Sequence, residues 1–176
     1  MNKYQKWLDK ALEQLSRDFE KGDFHPQNEC DIQCHLYHLL LCSKERINGV
    51  TKAVVLSEYR VPRSPERIDL AIVKRTRKGN EPRLLLEIKE TSKSYLSPAQ
   101  VEERVLPDVE KLQEYRQSLV IEGHKRISKP AVFFFFRDEK GTGGLRETGI
   151  GVIIDNAMRE LKRKYKKKVT LDWGPR

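Results

Sequence analysis

Three cysteines in 176 residues are too few, and odd in number, for a disulfide framework, which fits a reducing compartment. No apolar run approaches the length needed to cross a bilayer, and Met1-Asn-Lys-Tyr-Gln-Lys is not followed by the apolar block of a signal peptide. The expected address is therefore the cytoplasm. No segment repeats, which excludes solenoids and propellers. Cys30, Cys34, His38 and Cys42 recur every four residues, but the outer two would lie about 18 Å apart along a helix, too far for one tetrahedral ion. No Cys-x-x-Cys partner exists elsewhere, so these four read as packing residues. His25, His35 and His124 have no acid or nucleophile at a telling spacing, and no serine or cysteine triad can be assembled. Gly141-Thr-Gly-Gly-Leu-Arg lacks the P-loop pattern and reads as a plain loop.

What is present is 38% hydrophobic and 35% charged, the balance of a globular protein with a highly charged exterior. The length suits one domain over 1–176, with a core over about 27–155 and a basic C-terminal helix over 156–168. The net charge of +9 invites a nucleic-acid reading, yet Lys162, Arg163, Lys164, Lys166, Lys167 and Lys168 carry most of it, leaving only about +3 elsewhere. That tail suits either phosphate contact or the C-terminal end of a helix. Arg60, Arg63 and Arg67 precede one central strand, and Lys74, Arg75, Arg77 and Lys78 fall on the loop expected after it.

The chemistry sits in two apolar strands that carry charges. In Arg83-Leu-Leu-Leu-Glu-Ile-Lys89, side chains alternate faces, so Leu84, Leu86 and Ile88 point one way while Leu85, Glu87 and Lys89 point the other. In Arg67-Ile-Asp-Leu-Ala-Ile-Val-Lys, Ile68, Leu70 and Ile72 share one face and leave Asp69 with Ala71 and Val73. A hairpin through the polar 74–82 segment, with Val73 opposite Arg83, places Ala71 opposite Leu85 and Asp69 opposite Glu87. Two adjacent carboxylates stay ionised only if a cation or hydrogen-bond donors compensate them. Oxygen ligands favour Mg²⁺ (or Mn²⁺), and a neighbouring lysine can orient water or stabilise charge on a phosphate. The alternative reading is an internal ion-pair cluster.

Around this hairpin, Tyr4 to Phe19 has the spacing of an amphipathic helix ended near Gly22, and 28–42 reads as a second helix. In that helix Glu29, Ile32, Gln33, Leu36 and Leu40 share a face, which brings Glu29 toward the sheet. Residues 53–61 read as a strand. Ser97-Pro98-Ala99-Gln100 starts a further helix that Pro107 should kink or break and that runs to about Val120. Ala131-Val-Phe-Phe-Phe-Phe136 reads as a strand buried on both faces, and 150–154 as another, before the basic helix.

Asp69, followed after a hairpin by Glu87-Ile88-Lys89, resembles the acid, spacer, Glu-X-Lys signature of the PD-(D/E)XK nuclease superfamily. Ile68 stands where the superfamily's name has proline, a position that varies and leaves the acids intact. The resemblance implies an α/β fold: a restriction-endonuclease-like αβββαβ core with a mixed sheet flanked by helices, plus extra N-terminal and C-terminal helices. It also implies that Asp69, Glu87, the carbonyl of Ile88 and the helical Glu29 hold Mg²⁺ or Mn²⁺, while Lys89 assists the attacking water. The implied activity is that of a metal-dependent phosphodiester hydrolase, a DNA endonuclease, with RNA not excluded as substrate. Arg67, Lys93, Arg63, Lys74 and Arg75 are the candidate nucleic-acid contacts. Members that cut both strands often act as dimers, so a homodimer or a larger nuclease assembly is an open expectation. Gln113 and Tyr115 stand two apart rather than at the Gln-x-x-x-Tyr spacing of RecB-like nucleases, and are expected at the helix surface and the core edge. The alternative is a catalytically inactive nucleic-acid-binding module or interaction subunit on the same fold.

Overall fold

The computed structural model describes residues 2–44, 47–61, 65–77, 79–91, 97–121, 127–128, 130–136, 158–166 and 169–174. The expected strand at 150–154, the glycine loop at 141–144, and Arg63, Lys78, Lys93, His124, Lys167 and Lys168 lie outside the described residues. The element order is α1 (Lys3–Glu20), α2 (Glu29–Ser43), β1 (Ala53–Arg60), β2 (Arg67–Thr76), β3 (Gly79–Thr91), α3 (Pro98–Ile121), β4 (Ala131–Phe136) and β5 (Thr170–Gly174). A further helix, α4, covers the described residues 158–165.

The fold is a mixed α/β sheet flanked by helices, with strand order β1-β2-β3-β4-β5. β1, β2 and β3 pair antiparallel as a meander, while β3, β4 and β5 pair parallel. Parallel neighbours need a long crossover, and α3 supplies the one between β3 and β4. Two apolar clusters result, one on each side of the sheet. On one side α1 and α2 cover Leu70, Ile72, Leu84, Leu86, Ile88, Ala131, Phe133 and Phe135. On the other, Val101, Val105, Val109 and Leu112 of α3 and Met158, Leu161 and Tyr165 of α4 cover Ala71, Val73, Leu85 and Val132. Full burial of each such side chain contributes about 1.5–3 kcal/mol, so both faces are needed to hold the sheet.

The helix starts are set by local chemistry. Asn28 caps α2 by accepting from Asp31 N at 3.1 Å, and the Asp31 carboxylate answers by accepting from Asn28 N at 3.2 Å. This box fixes the first turn and hence Glu29, its first residue. Ser97 and Gln100 form the same reciprocal pair at the start of α3. Trp7 of α1 is fully buried and its indole N–H donates to Leu40 O at 3.1 Å, locking α1 across α2.

Several expectations need correction. The hairpin register holds at Ala71 opposite Leu85, but a bulge between Ile72 and Val73 moves Val73 opposite Pro82 instead of Arg83. The 74–82 segment is mostly strand, because β2 runs to Thr76 and pairs with Gly79, whose φ of 113° suits glycine in a tight turn. Lys74 and Arg75 are therefore paired strand residues opposite Glu81 and Asn80. Ile68 joins the α3 cluster and not that of Leu70 and Ile72. The phase changes where Glu58 of β1 has φ 50° and the β1–β2 pairing passes from Ser57 with Leu70 to Tyr59 with Ile68. Cys30, Cys34, His38 and Cys42 are exposed on α2, since Ile32, Leu36 and Leu40 take its inner face. β5 was not expected: its five residues are short and end at a glycine.

Pro107 lies inside α3, which continues through it without a break. Proline forfeits one helical hydrogen bond, but Val105, Val109 and Leu112 are fully buried on either side and hold the axis against the sheet. Pro107→Ala should then raise stability by about 1–3 kcal/mol, read as a higher urea midpoint at unchanged slope. An unchanged or lower midpoint would contradict an α-helical turn at this position.

Candidate active site

The last paired residues of β2 with β3 are Leu70 and Leu86. Beyond them β3 continues along β4, from Leu86 with Ala131 to Thr91 with Phe136, while β2 stays with β1. At this fork the Asp69 carboxylate replaces a backbone acceptor: its Oδ2 takes the Ile88 N–H at 2.6 Å. Gln33 of α2 secures the same residue from behind, donating to the Asp69 carbonyl at 2.8 Å and to Glu58 Oε1 at 3.1 Å. The fork brings Asp69 and Glu87 into side-chain hydrogen-bonding contact, one residue beyond the end of the ladder in which they were expected to pair.

Glu87 is only 2% exposed. Burial, and then the Asp69 carboxylate beside it, push Glu87 up to about 8, although Lys111 pulls the other way from 2.7 Å. Lys111 belongs to α3; burial opposes its charge, but Glu87, with Tyr115 and Asp108 adding to it, holds the ammonium above the ordinary lysine value. Its ammonium also lies 3.9 Å from Glu66, whose carboxylate accepts from the Tyr115 hydroxyl at 2.9 Å.

Lys89 occupies a similar position one step along β3. Its Nζ stands 3.9 Å from Glu29 Oε1 and 3.7 Å from Asp108 Oδ2. Burial opposes its charge, but Asp108, Glu29, Glu87 and Asp69 together raise it above the usual lysine range, so it is a firmly protonated ammonium. Glu29 reaches across from α2, where its Oε2 accepts from Glu90 N at 3.3 Å. Asp108 is 6% exposed, and its Oδ2 has no hydrogen-bond partner among the described residues. Burial raises both Asp108 and Glu29, with the two lysines partly offsetting this for Asp108 and Lys89 partly offsetting it for Glu29.

The fold thus brings together the four residues expected from the sequence, Glu29, Asp69, Glu87 and Lys89, and adds Asp108, Lys111, Glu66, Tyr115 and Gln33. Asp108, Lys111 and Tyr115 lie three and four residues apart on α3, a spacing that puts all three on one helical face. That spacing was readable in the sequence; the side of the sheet on which this face lands was not. Tyr115 does lie at the core edge, whereas Gln113 is half-buried with its amide nitrogen out of solvent. Of the candidate phosphate contacts, Arg67 is exposed two residues before Asp69. Lys74 and Arg75 stand five and six residues beyond Asp69, about 17–20 Å along the strand, and are not brought to the carboxylates.

Among the described residues no three acidic, histidine or cysteine side chains stand at the spacing of a finished metal cage. Two ammonium groups stand between the acids instead. The donor chemistry nevertheless fits a hard divalent ion: Asp69 and Glu87 adjoin so closely that they share either a proton or a cation, and all the donors are oxygens. No family model matches this chain, and neither does any curated protein or solved structure.

The raised Glu87 has a direct consequence for the metal-free protein. Its folded form binds a proton more tightly than the unfolded chain, so its contribution to stability is complete below about pH 4.5 and is lost as pH rises through about 8. The loss should amount to a few kcal/mol, on the order set by 1.36 kcal/mol per pH unit. Urea unfolding in a chelator at about pH 5 and about pH 8.5 measures it, and Glu87→Gln should flatten most of the difference. A wild-type stability that increases over that interval would contradict the proton-sharing pair.

Proposed function

We propose that this protein is a Mg²⁺-dependent nuclease of the PD-(D/E)XK type, hydrolysing phosphodiester bonds of DNA. The observation that carries the reading is the fork at Asp69, where two carboxylates in contact, Asp69 and Glu87, adjoin a protonated Lys89 on one sheet face. The order α2, β1, β2, β3, α3, β4, with an antiparallel meander followed by a parallel crossover, supports a restriction-endonuclease-like αβββαβ core.

Asp69 and Glu87 would hold the ion, with the Ile88 carbonyl as a further ligand and Glu29 at the margin. A bound divalent ion supplies Lewis acidity toward the phosphate and toward water. The protein's own residues do the rest. Lys89 is kept charged by four acids, so its role is that of a cation beside the scissile phosphate, where it stabilises the negative charge that builds up during attack. Glu29 and Asp108 on either side fix where that ammonium stands. Arg67, exposed near the fork, is suited to contact the flanking backbone, and Arg63 and Lys93 are candidates for the same role.

A nucleic-acid-binding module using the basic tail is less well supported. Lys164 is tied to Glu102 of α3, which also accepts from the Tyr165 hydroxyl at 2.9 Å, so part of the tail's charge is used within the fold.

The activity is checked with duplex, branched and single-stranded DNA in Mg²⁺ or Mn²⁺. Lys89→Ala and Asp69→Asn, whose amide oxygen can still accept from Ile88 N, should each lower the cleavage rate by about 10²-fold or more while leaving the fold intact by circular dichroism. No cleavage by wild type on any of these substrates, or full activity in both variants, would overturn the reading.

A further inference from the structure

The two lysines of the site do different things, and the nuclease reading assigns a task only to Lys89. Lys111 lies closer to a carboxylate than any other cation in the site, 2.7 Å from Glu87 Oε1. Glu87 is the more deeply buried of the two acids proposed to hold the metal, so in the metal-free protein Lys111 supplies part of the positive charge a divalent ion would bring. A second acid, Glu66, stands on the other side of the same ammonium at 3.9 Å. Glu66 is at the β2 entrance, and the Tyr115 hydroxyl, one turn further along α3 than Lys111, fixes its carboxylate. An ammonium on a four-carbon stem can move between two acceptors this close without moving its helix. Asp108, three residues before Lys111 on the same face, is engaged with Lys89 and does not compete for Lys111 within hydrogen-bonding distance.

We infer that Lys111 is a built-in counter-cation that competes with the metal for Glu87, and that loading the site transfers its ammonium to Glu66. The inference rests on the nuclease reading only for the identity of the competing ion. It makes metal affinity a property of α3 as well as of the carboxylates, with two effects. An empty site keeps its acids compensated and folded, and a loaded one releases a lysine toward the mouth of the site, next to exposed Arg67, where a phosphate backbone would arrive. Two cations on the Glu87 carboxylate repel, so occupancy by one weakens the other.

The test is Mg²⁺ binding by calorimetry at about pH 9, above the Glu87 value of about 8, so that proton release does not mask the competition. Lys111→Met should bind Mg²⁺ about tenfold tighter than wild type, and Lys111→Arg, which keeps the charge, should not. Glu66→Gln should weaken Mg²⁺ binding severalfold in the wild-type background and have much less effect once Lys111 is methionine, because no ammonium is then displaced toward it. Wild type that binds Mg²⁺ with Lys111→Met no tighter overturns the inference and leaves the nuclease reading standing. Absence of Mg²⁺ binding in both wild type and Lys111→Met removes the metal reading and the inference with it. Should Lys111→Met fail to fold, a crystal structure of wild type soaked in Mg²⁺ decides: Lys111 on Glu66 upholds the transfer, and Lys111 still on Glu87 beside the ion overturns it.

Discussion

The bond from Ile88 N to Asp69 Oδ2 is the contact on which the rest of the site depends. A strand leaving a sheet exposes backbone donors of its neighbour, and each buried donor left without an acceptor costs about 1–3 kcal/mol. Here a side chain supplies the acceptor, so β2 can diverge from β3 without that cost. The divergence leaves Asp69 beside Glu87 on the α3 side, so the residue that makes it possible is one of the two acids that meet there. Gln33 completes the arrangement from the opposite side by holding the Asp69 carbonyl. Structure and proposed chemistry are coupled at one carboxylate.

The two sheet faces show why the site lies where it does. Beneath α1 and α2 the sheet presents an unbroken apolar surface from Leu70 to Phe135, with aromatic packing such as Phe19 edge-on to Phe135 at 5.1 Å. That face carries stability. The opposite face is apolar only toward Val73, Leu85 and Val132, and turns polar where Glu87 and Lys89 project toward α3. Glu29 is the exception that crosses between them, because the capping box starts α2 at the sheet margin and leaves its first side chain pointing past the strand end. Among the described residues the one non-glycine with positive φ lies in the same neighbourhood: Glu58, whose φ of 50° coincides with the change of phase in β1 and whose carboxylate receives Gln33.

Much of this was legible in the sequence for a definite reason. The period of two in β3 separates Leu84, Leu86 and Ile88 from Glu87 and Lys89, and no tertiary information is needed for that. The expected hairpin register matched at Ala71 with Leu85, but the ladder stops at Leu70 with Leu86, and Asp69 meets Glu87 through side chains at the fork instead of as a ladder pair. The hairpin end was not legible, because a one-residue bulge leaves no compositional trace and slides Val73 onto Pro82. The cysteine stripe was misassigned by residue type: cysteine usually packs inside, but Ile32, Leu36 and Leu40 already fill the single inner face a helix has. The α3 partners were not legible, because the helical pattern after Pro107 shows that Asp108, Lys111 and Tyr115 share a face but not that this face meets Glu87 and Lys89 across the sheet.

That face of α3 also explains how so much charge is tolerated out of solvent. Four acids and two lysines sit in one small region, and either set alone would be expelled or neutralised. α3 interleaves them: Lys111 goes to the Asp69 and Glu87 pair from β2 and β3, and Asp108 goes to Lys89 from β3. Burial still raises Glu29, Glu87 and Asp108, and at Glu87 the Asp69 carboxylate adds to it. At the fork, where Asp69 and Glu87 touch, a cation in the proposed site would relieve their mutual repulsion.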